Sequence, residues 1–293
     1  MRDSLTAMKN RGIIPDFLIV HMYPLDADMN PTNDAILLTR PSEIATYTAT
    51  LNSCVSKYLG SDYVGQVKYQ FTEFRSVLGS RIQTICYIDA MFCAQYLMEM
   101  AKNGWQAAHI WNIKNGTDSA TGGDYGIISK PDNRTRPTYY IYPLLIKKFG
   151  KTMVFSSSDN SLLKSYASKD ASGNLTLFIV NNSPDTDFTT SVNISGFSAG
   201  TAGQRWVLEP AGTTPSGSTT PIQECTDIKW NGVVHPDPAT LDSIPGISTS
   251  TGSNFSVTVP KSAMMLIIIP SGSSSSTPTP TPAATPTPTP AAT

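Results

Sequence analysis

The chain has 293 residues, 40% of them apolar and 15% charged, which is enough material for two packed domains. Its 21 basic and 22 acidic residues nearly cancel, so it has no surplus of cations with which to hold nucleic acid or an anionic bilayer. The longest apolar run, Ala263 to Ile269, is far shorter than the roughly 20 residues needed to cross a membrane, and reads as a buried strand.

The first ten residues have no apolar core of the kind a signal peptide requires and read as the end of an amphipathic helix. Phe17-Leu18-Ile19-Val20 is a continuous β-branched and aromatic run, the pattern of a strand buried on both faces, and it ends in His21-Met22-Tyr23-Pro24. A helix follows from Ser42 to Leu59, with Pro41-Ser42 placed to cap it and Gly60 to close it. Gly65 to Phe71 alternates as a second strand and runs into Thr72-Glu73. A longer helix from Arg81 to Lys102 is closed by Asn103-Gly104. Trp105 to Ile110 is the third strand, running into Trp111-Asn112, and a last helix, Thr138 to Phe149, follows Pro137 and stops at Gly150. Strand then helix, three times over, is the signature of parallel βαβ construction.

After Lys151 the helical period disappears. Short strands separated by turn residues are expected at 162–167, 175–181, 189–194, 204–208, 255–259 and 263–269, a spacing that indicates an antiparallel sandwich. From Ser271 onward the chain is Ser, Thr, Pro and Ala apart from Gly272, which cannot bury a core and reads as an extended spacer with something beyond it. The expected architecture is α/β plus all-β: an α/β unit over 1–150, a β-sandwich over 151–270 and a Ser/Thr/Pro-rich linker over 271–293.

Four cysteines, Cys54, Cys86, Cys93 and Cys225, have neither CxxC pairing nor His partners at metal spacing. They read as buried thiols, and no metal site is expected. His21, His109 and His235 follow no metal-binding pattern, and no Gly-x-Ser-x-Gly elbow is present, which argues against metalloenzyme and esterase chemistry.

In parallel α/β folds function gathers where the strands end. Here those ends carry His21 and Tyr23, then Glu73, then Trp111 and Asn112. A carboxylate, a histidine and aromatics around one cleft suit a sugar, whose apolar ring faces stack on aromatics while polar groups bind its hydroxyls. Asp26, Asp28 and Asp124 lie among turn residues and read as solvated or capping groups.

Taken in order, His21-Met22-Tyr23-Pro24, Gln70-Phe71-Thr72-Glu73-Phe74 and Ala108-His109-Ile110-Trp111-Asn112 resemble the ends of strands six, seven and eight of clan A glycoside hydrolases. The likeness is nearest to arabinofuranosidase, xylosidase and endoglucanase families that append a β-sandwich. Tyr125-Gly126-Ile127-Ile128 and Arg136-Pro137-Thr138-Tyr139-Tyr140 are similar to their run into the eighth helix, and Asp170 to Asn182 and Pro260-Lys261-Ser262-Ala263 to their sandwich. The resemblance implies the C-terminal part of a (β/α)8 barrel and retaining hydrolysis of a plant cell-wall polysaccharide or oligosaccharide. Glu73 would be the catalytic nucleophile, His21 and Tyr23 would hold that carboxylate or the sugar hydroxyls, Asn112 would bind substrate, and Trp111 would floor the donor subsite. No cofactor is implied.

Retaining hydrolysis needs a second carboxyl group about 5 Å away. In this clan it follows an Asn at the end of strand four, which has no counterpart here. Since a full barrel takes about 250 residues, roughly 150 are missing, and Met1 reads as an internal methionine of a truncated product. The isolated chain is expected to be inactive. The linker and the resemblance imply secretion and a further carbohydrate-binding module beyond the linker. The competing reading is a protein that binds carbohydrate without cleaving it, or a vestigial one.

Overall fold

The computed structural model describes residues 1–26, 33–79, 82–115, 125–216, 218 and 220–272. Asp28, Asp124 and the linker after Gly272 lie outside them.

Helix α1 (Arg2–Asn10) buries Leu5 and leads into strand β1 (Phe17–Met22). Helix α2 (Ile44–Tyr58), strand β2 (Lys68–Phe74), helix α3 (Tyr87–Lys102), strand β3 (Ala107–Ile110) and helix α4 (Ile141–Lys148) follow. The strands form a parallel sheet in the order β1-β2-β3, so β2 is central. Two short parallel pairs, Leu25–Asp26 with Val77–Leu78 and Lys114–Asn115 with Ile128–Ser129, extend it beyond the strand ends.

Helices α2, α3 and α4 each begin later than the sequence pattern suggests, because a 3-10 turn stands ahead of each: Arg40–Glu43, Ile82–Ile85 and Pro137–Tyr140. Ser42 does not cap α2; its Oγ donates to the Thr39 carbonyl at 2.6 Å, and the residue before the helix, Glu43, makes no side-chain cap. At the C-terminal end of α3, by contrast, Gly104 takes a φ of 74° and the chain turns back so that Trp105 N reaches Met100 O, the reversal a glycine permits.

Strand β1 is not buried on both faces. Phe17 is 47% and Ile19 54% exposed, and no residue of the strand is fully buried. Among the described residues β1 is the edge of the sheet, with β2 its one neighbour, and the face that carries Phe17, Ile19 and His21 is exposed. The cysteines also divide: Cys86 and Cys93 are buried, while Cys54 and Cys225 are half-buried, and all four are free.

The described residues from 152 to 272 form antiparallel strands: β4 (Thr152–Val154), β5 (Leu163–Lys169), β6 (Leu175–Asn181), β7 (Phe188–Asn193), β8 (Ala202–Ala211), β9 (Asp227–Trp230), β10 (Val233–Val234), β11 (Ile247–Ser250), β12 (Asn254–Val259) and β13 (Met264–Ile269). The large sheet runs β10-β9-β8-β13-β6-β5-β4, with β11 also pairing β8. β13, the Met-Ile-rich run, sits at its centre between β6 and β8. The ribbon β7-β12 packs on one face, where Phe188, Val192, Phe255, Val257 and Val259 meet Leu177, Ile179, Met265 and Ile267.

The opposite face of the large sheet meets α3. Tyr166, Phe178, Trp206, Leu208, Met264 and Leu266 belong to the same buried cluster as Phe71, Phe92, Tyr96 and the apolar residues of α2. This is why α3 has no polar stripe: it is covered by the parallel sheet on one side and the antiparallel sheet on the other.

Candidate active site

Glu73 owes its position to a buried ion pair just behind it. Arg75, two residues on, is fully buried; its Nη2 donates to the Thr84 carbonyl at 2.7 Å and stands 3.2 Å from Asp89 Oδ2 on α3. Asp89 also accepts from Ser76 Oγ and Thr138 Oγ1, each at 2.5 Å, and from Cys93 Sγ at 3.6 Å. One carboxylate thereby clamps the end of β2 to α3 and to the turn before α4. Below it, Tyr69 OH donates to Asn52 Oδ1 at 2.7 Å and Trp105 Nε1 to Thr48 Oγ1 at 2.8 Å, fixing β2 and the start of β3 against α2.

In β1 the register with β2 shifts between Val20 and His21, which sets His21 opposite Glu73. His21 Nδ1 stands 3.1 Å from Glu73 Oε2, and Tyr23 OH donates to Oε1. Each carboxylate oxygen thus has its own partner. The glutamate side chain is 22% exposed and His21 58%, so the carboxylate sits at the floor of an open rim. Burial, then the hydrogen bond and charge of Glu73, hold the Tyr23 phenol well above its ordinary pKa, so it stays protonated and donates.

Trp111 N donates to Phe74 O at 3.0 Å, placing the indole at the same strand end, 45% exposed. Asn112 is braced by backbone bonds to Tyr125 O at 3.1 Å and from Ile127 N at 3.0 Å, and its buried Oδ1 has no hydrogen-bond partner. Tyr125, which the sequence motif places only in the run into the eighth helix and not among the site residues, closes the group: its ring meets Tyr23 edge-on at 6.2 Å, and its hydroxyl accepts from Gly79 N.

Chemically, the arrangement presents a carboxylate with Tyr23 on one oxygen and His21 on the other, at a strand end that also carries an exposed indole. Among the described residues no group of three or more His, Cys, Asp or Glu is placed to hold a metal. Among them, too, no helix is long and apolar enough to cross a membrane.

No family model matches the chain, and no curated protein matches it. Solved structures do. The bifunctional glucanase-xylanase CelM2 from a metagenome library aligns over 93% of this chain and 48% of its own, with a TM-score of 0.59 and 19% identity. The GH51 α-L-arabinofuranosidase of Thermotoga petrophila RKU-1 aligns over 91% of this chain and 55% of its own, with a TM-score of 0.64 and 15% identity. A Paenibacillus polymyxa xyloglucanase of glycoside hydrolase family 44 gives 92%, 50%, 0.61 and 18% for the same measures. The folds it resembles are those of glycoside hydrolases. The chain spans about half the length of each of these proteins.

Proposed function

We propose that the chain is the C-terminal part of a retaining glycoside hydrolase. In this reading β1 to β3 are strands six to eight of a (β/α)8 barrel, residues 1–150 the partial barrel, 151–270 the appended sandwich and 271–293 the linker of a secreted enzyme. The observation that carries it is Glu73 at the C-terminal end of the central parallel strand, with its two oxygens engaged by Tyr23 and His21 from the neighbouring strand end.

Glu73 attacks the anomeric carbon, the glycosidic bond breaks, and water later releases the sugar from the glycosyl-enzyme. Tyr23 and His21 hold the carboxylate in one orientation before attack, so little freedom is lost at the transition state. As the ester forms, the aglycone leaves with a proton from the general acid; the bonded oxygen of Glu73 loses its charge, and its partner can turn to the ring oxygen or a hydroxyl of the covalently held sugar. Trp111 and Tyr125 offer aromatic faces to the ring, and Asn112 an amide to its hydroxyls. The general acid/base belongs to a strand outside residues 1–293. The uncovered edge of β1 and the half-length alignment with glycoside hydrolases support this. The substrate is a polysaccharide or oligosaccharide; arabinofuranoside, xyloside and β-glucan chemistry all suit the residues present.

The test is covalent labelling with 2-deoxy-2-fluoro glycosides of arabinofuranose, xylose and glucose bearing a dinitrophenolate group, which departs without a proton from the enzyme. It should be applied to this chain and to the same chain extended through its upstream reading frame. The expected result is one glycosyl group on Glu73 in the extended protein, absent in Glu73→Gln, with reducing sugar released from the matching polysaccharide. An open upstream frame whose product binds polysaccharide but takes no label would transfer the reading to a binding protein.

A further inference from the structure

Two of the four free cysteines, far apart in sequence, meet at the start of α3. Cys86 stands immediately ahead of the helix and is fully buried; Cys225 lies between β8 and β9 and is half-buried. Two backbone bonds tie their segments together: Tyr87 N donates to Cys225 O at 2.8 Å, and Ile88 N to Gln223 O at 2.7 Å. Across standard peptide dimensions the first of these leaves the α-carbons of Cys86 and Cys225 about 6 Å apart or closer, inside the range of about 4.4–6.8 Å that disulfides span.

The side chains bear on one another as well as the backbones. Burial, then the charges of Glu224 and Cys225, hold the Cys86 thiol well above its ordinary pKa, so the Cys225 sulfur is close enough for its charge to act on Cys86. The Cys225 thiol has only weak sulfur contacts of its own: it donates to Pro221 O at 3.3 Å and stands 3.8 Å from Thr214 Oγ1. Cys93, two turns along α3 from Cys86, is engaged elsewhere, its Sγ donating to Asp89 Oδ2 at 3.6 Å.

We propose that Cys86 and Cys225 join in a disulfide when the chain folds in the presence of a small disulfide such as glutathione disulfide. Cys225, the more accessible thiol, gives its proton to water and attacks one sulfur of glutathione disulfide; that S–S bond breaks and one glutathione leaves as its thiolate. Cys86, deprotonated in turn, attacks the Cys225 sulfur of the mixed disulfide, and the second glutathione leaves. Two protein thiols are thereby oxidised by two electrons, and one glutathione disulfide is reduced to two thiols, which take up the two protons. The burial that raises the Cys86 thiol slows the second attack in the folded chain, so the bond forms during folding. It staples the segment ahead of β9 to the start of α3 and closes a loop of about 140 residues, which restricts the unfolded chain. The inference does not depend on Glu73 being a nucleophile.

The test is to refold the 293-residue chain from urea in a mixture of reduced and oxidised glutathione, block the remaining thiols with iodoacetamide, and map the unreduced protein with trypsin. Two thiols are expected to remain of the four, with peptide 82–102 linked to peptide 206–229. Fragmentation of the linked pair should place the bond on Cys86 and leave Cys93 blocked. The Tm should lie about 5–10 °C above that of the same chain in dithiothreitol, a difference that Cys225→Ser and Cys86→Ser each abolish. Four thiols after refolding, or glutathione left on Cys225 with no linked peptide, would overturn the proposal. A link that fragments to Cys93, or one that survives in Cys86→Ser, would overturn it equally. If neither variant folds, the map and fragmentation of the wild-type chain decide.

Discussion

Asp89→Asn should be among the most damaging single-atom changes the chain can take. Asp89 and Arg75 are both fully buried, 3.2 Å apart, and the carboxylate also accepts from Ser76, Thr138 and Cys93. Exchanging one oxygen for an amide removes the negative charge and turns an acceptor into a donor facing other donors. The guanidinium is left buried without a counter-charge, and its Nε and Nη1 already have no hydrogen-bond partner. Breaking a buried pair from one side costs about 3–5 kcal/mol. At roughly 2–4 °C per kcal/mol for a domain of this size, Tm should fall by about 10 °C. The assay is urea unfolding followed by tryptophan fluorescence, run beside the double variant Arg75→Met/Asp89→Leu, which removes both charges and should recover most of the loss. A single variant within about 1 kcal/mol of wild type, or a double variant as unstable as the single, would show that the pair is not what holds the end of β2.

Three further outcomes follow from other parts of the molecule. Gly150→Ala should destabilise by about 1–3 kcal/mol, because a Cβ there would lie 2.3 Å from the Lys169 carbonyl carbon and oxygen and 2.6 Å from Asp170 N, backbone atoms that cannot yield cheaply; urea unfolding reads it. Trp111→Ala should leave stability within about 0.5 kcal/mol while weakening retention on xylan, arabinan or cellulose in affinity electrophoresis, since the indole is 45% exposed. Ile19→Lys should likewise change the unfolding midpoint of this chain little, Ile19 being 54% exposed. In a chain extended by the proposed upstream strands the same lysine would be buried in the barrel, so that protein should lose several kcal/mol or fail to fold.

The strands that carry dense apolar runs were legible in the sequence because burial on both faces needs no partner to announce it: β6 and β13 fall where their Leu, Ile, Val and Met runs lie. Thr152–Val154, Asp227–Trp230, Val233–Val234 and Ile247–Ser250 escape such reading, being short segments that become strands only by pairing with a longer neighbour. β1 misleads in the other direction, since its apolar composition is right for a covered strand and its cover is not within the described residues. At the site, strand ends single out His21, Tyr23 and Glu73, but their meeting depends on a register shift between Val20 and His21 that no composition reveals. Arg75 is invisible for a related reason: an arginine after a strand reads as a surface charge until Asp89, on the next helix, is folded over it.

The beginning of α3 explains how the antiparallel sheet bears on that strand end. A helix leaves its first N–H groups without internal acceptors. Cys86, in the capping position, supplies no side-chain cap. Instead Tyr87 N donates to Cys225 O at 2.8 Å and Ile88 N to Gln223 O at 2.7 Å, so a segment between β8 and β9 caps the helix. Tyr87 OH donates onward to Leu208 O at 2.7 Å, and about two turns further along Gln95 and Asn182 exchange side-chain bonds of 3.0 and 3.1 Å. The next residue of the helix after this capped start is Asp89, the carboxylate that holds Arg75. The position of Glu73 thus rests on β2, on Arg75, on Asp89 and, through the helix start, on the sheet beyond residue 150. The antiparallel half therefore acts as part of the scaffold of the candidate site, and loosening the 220–225 segment should disturb Glu73 although no residue of that segment touches it.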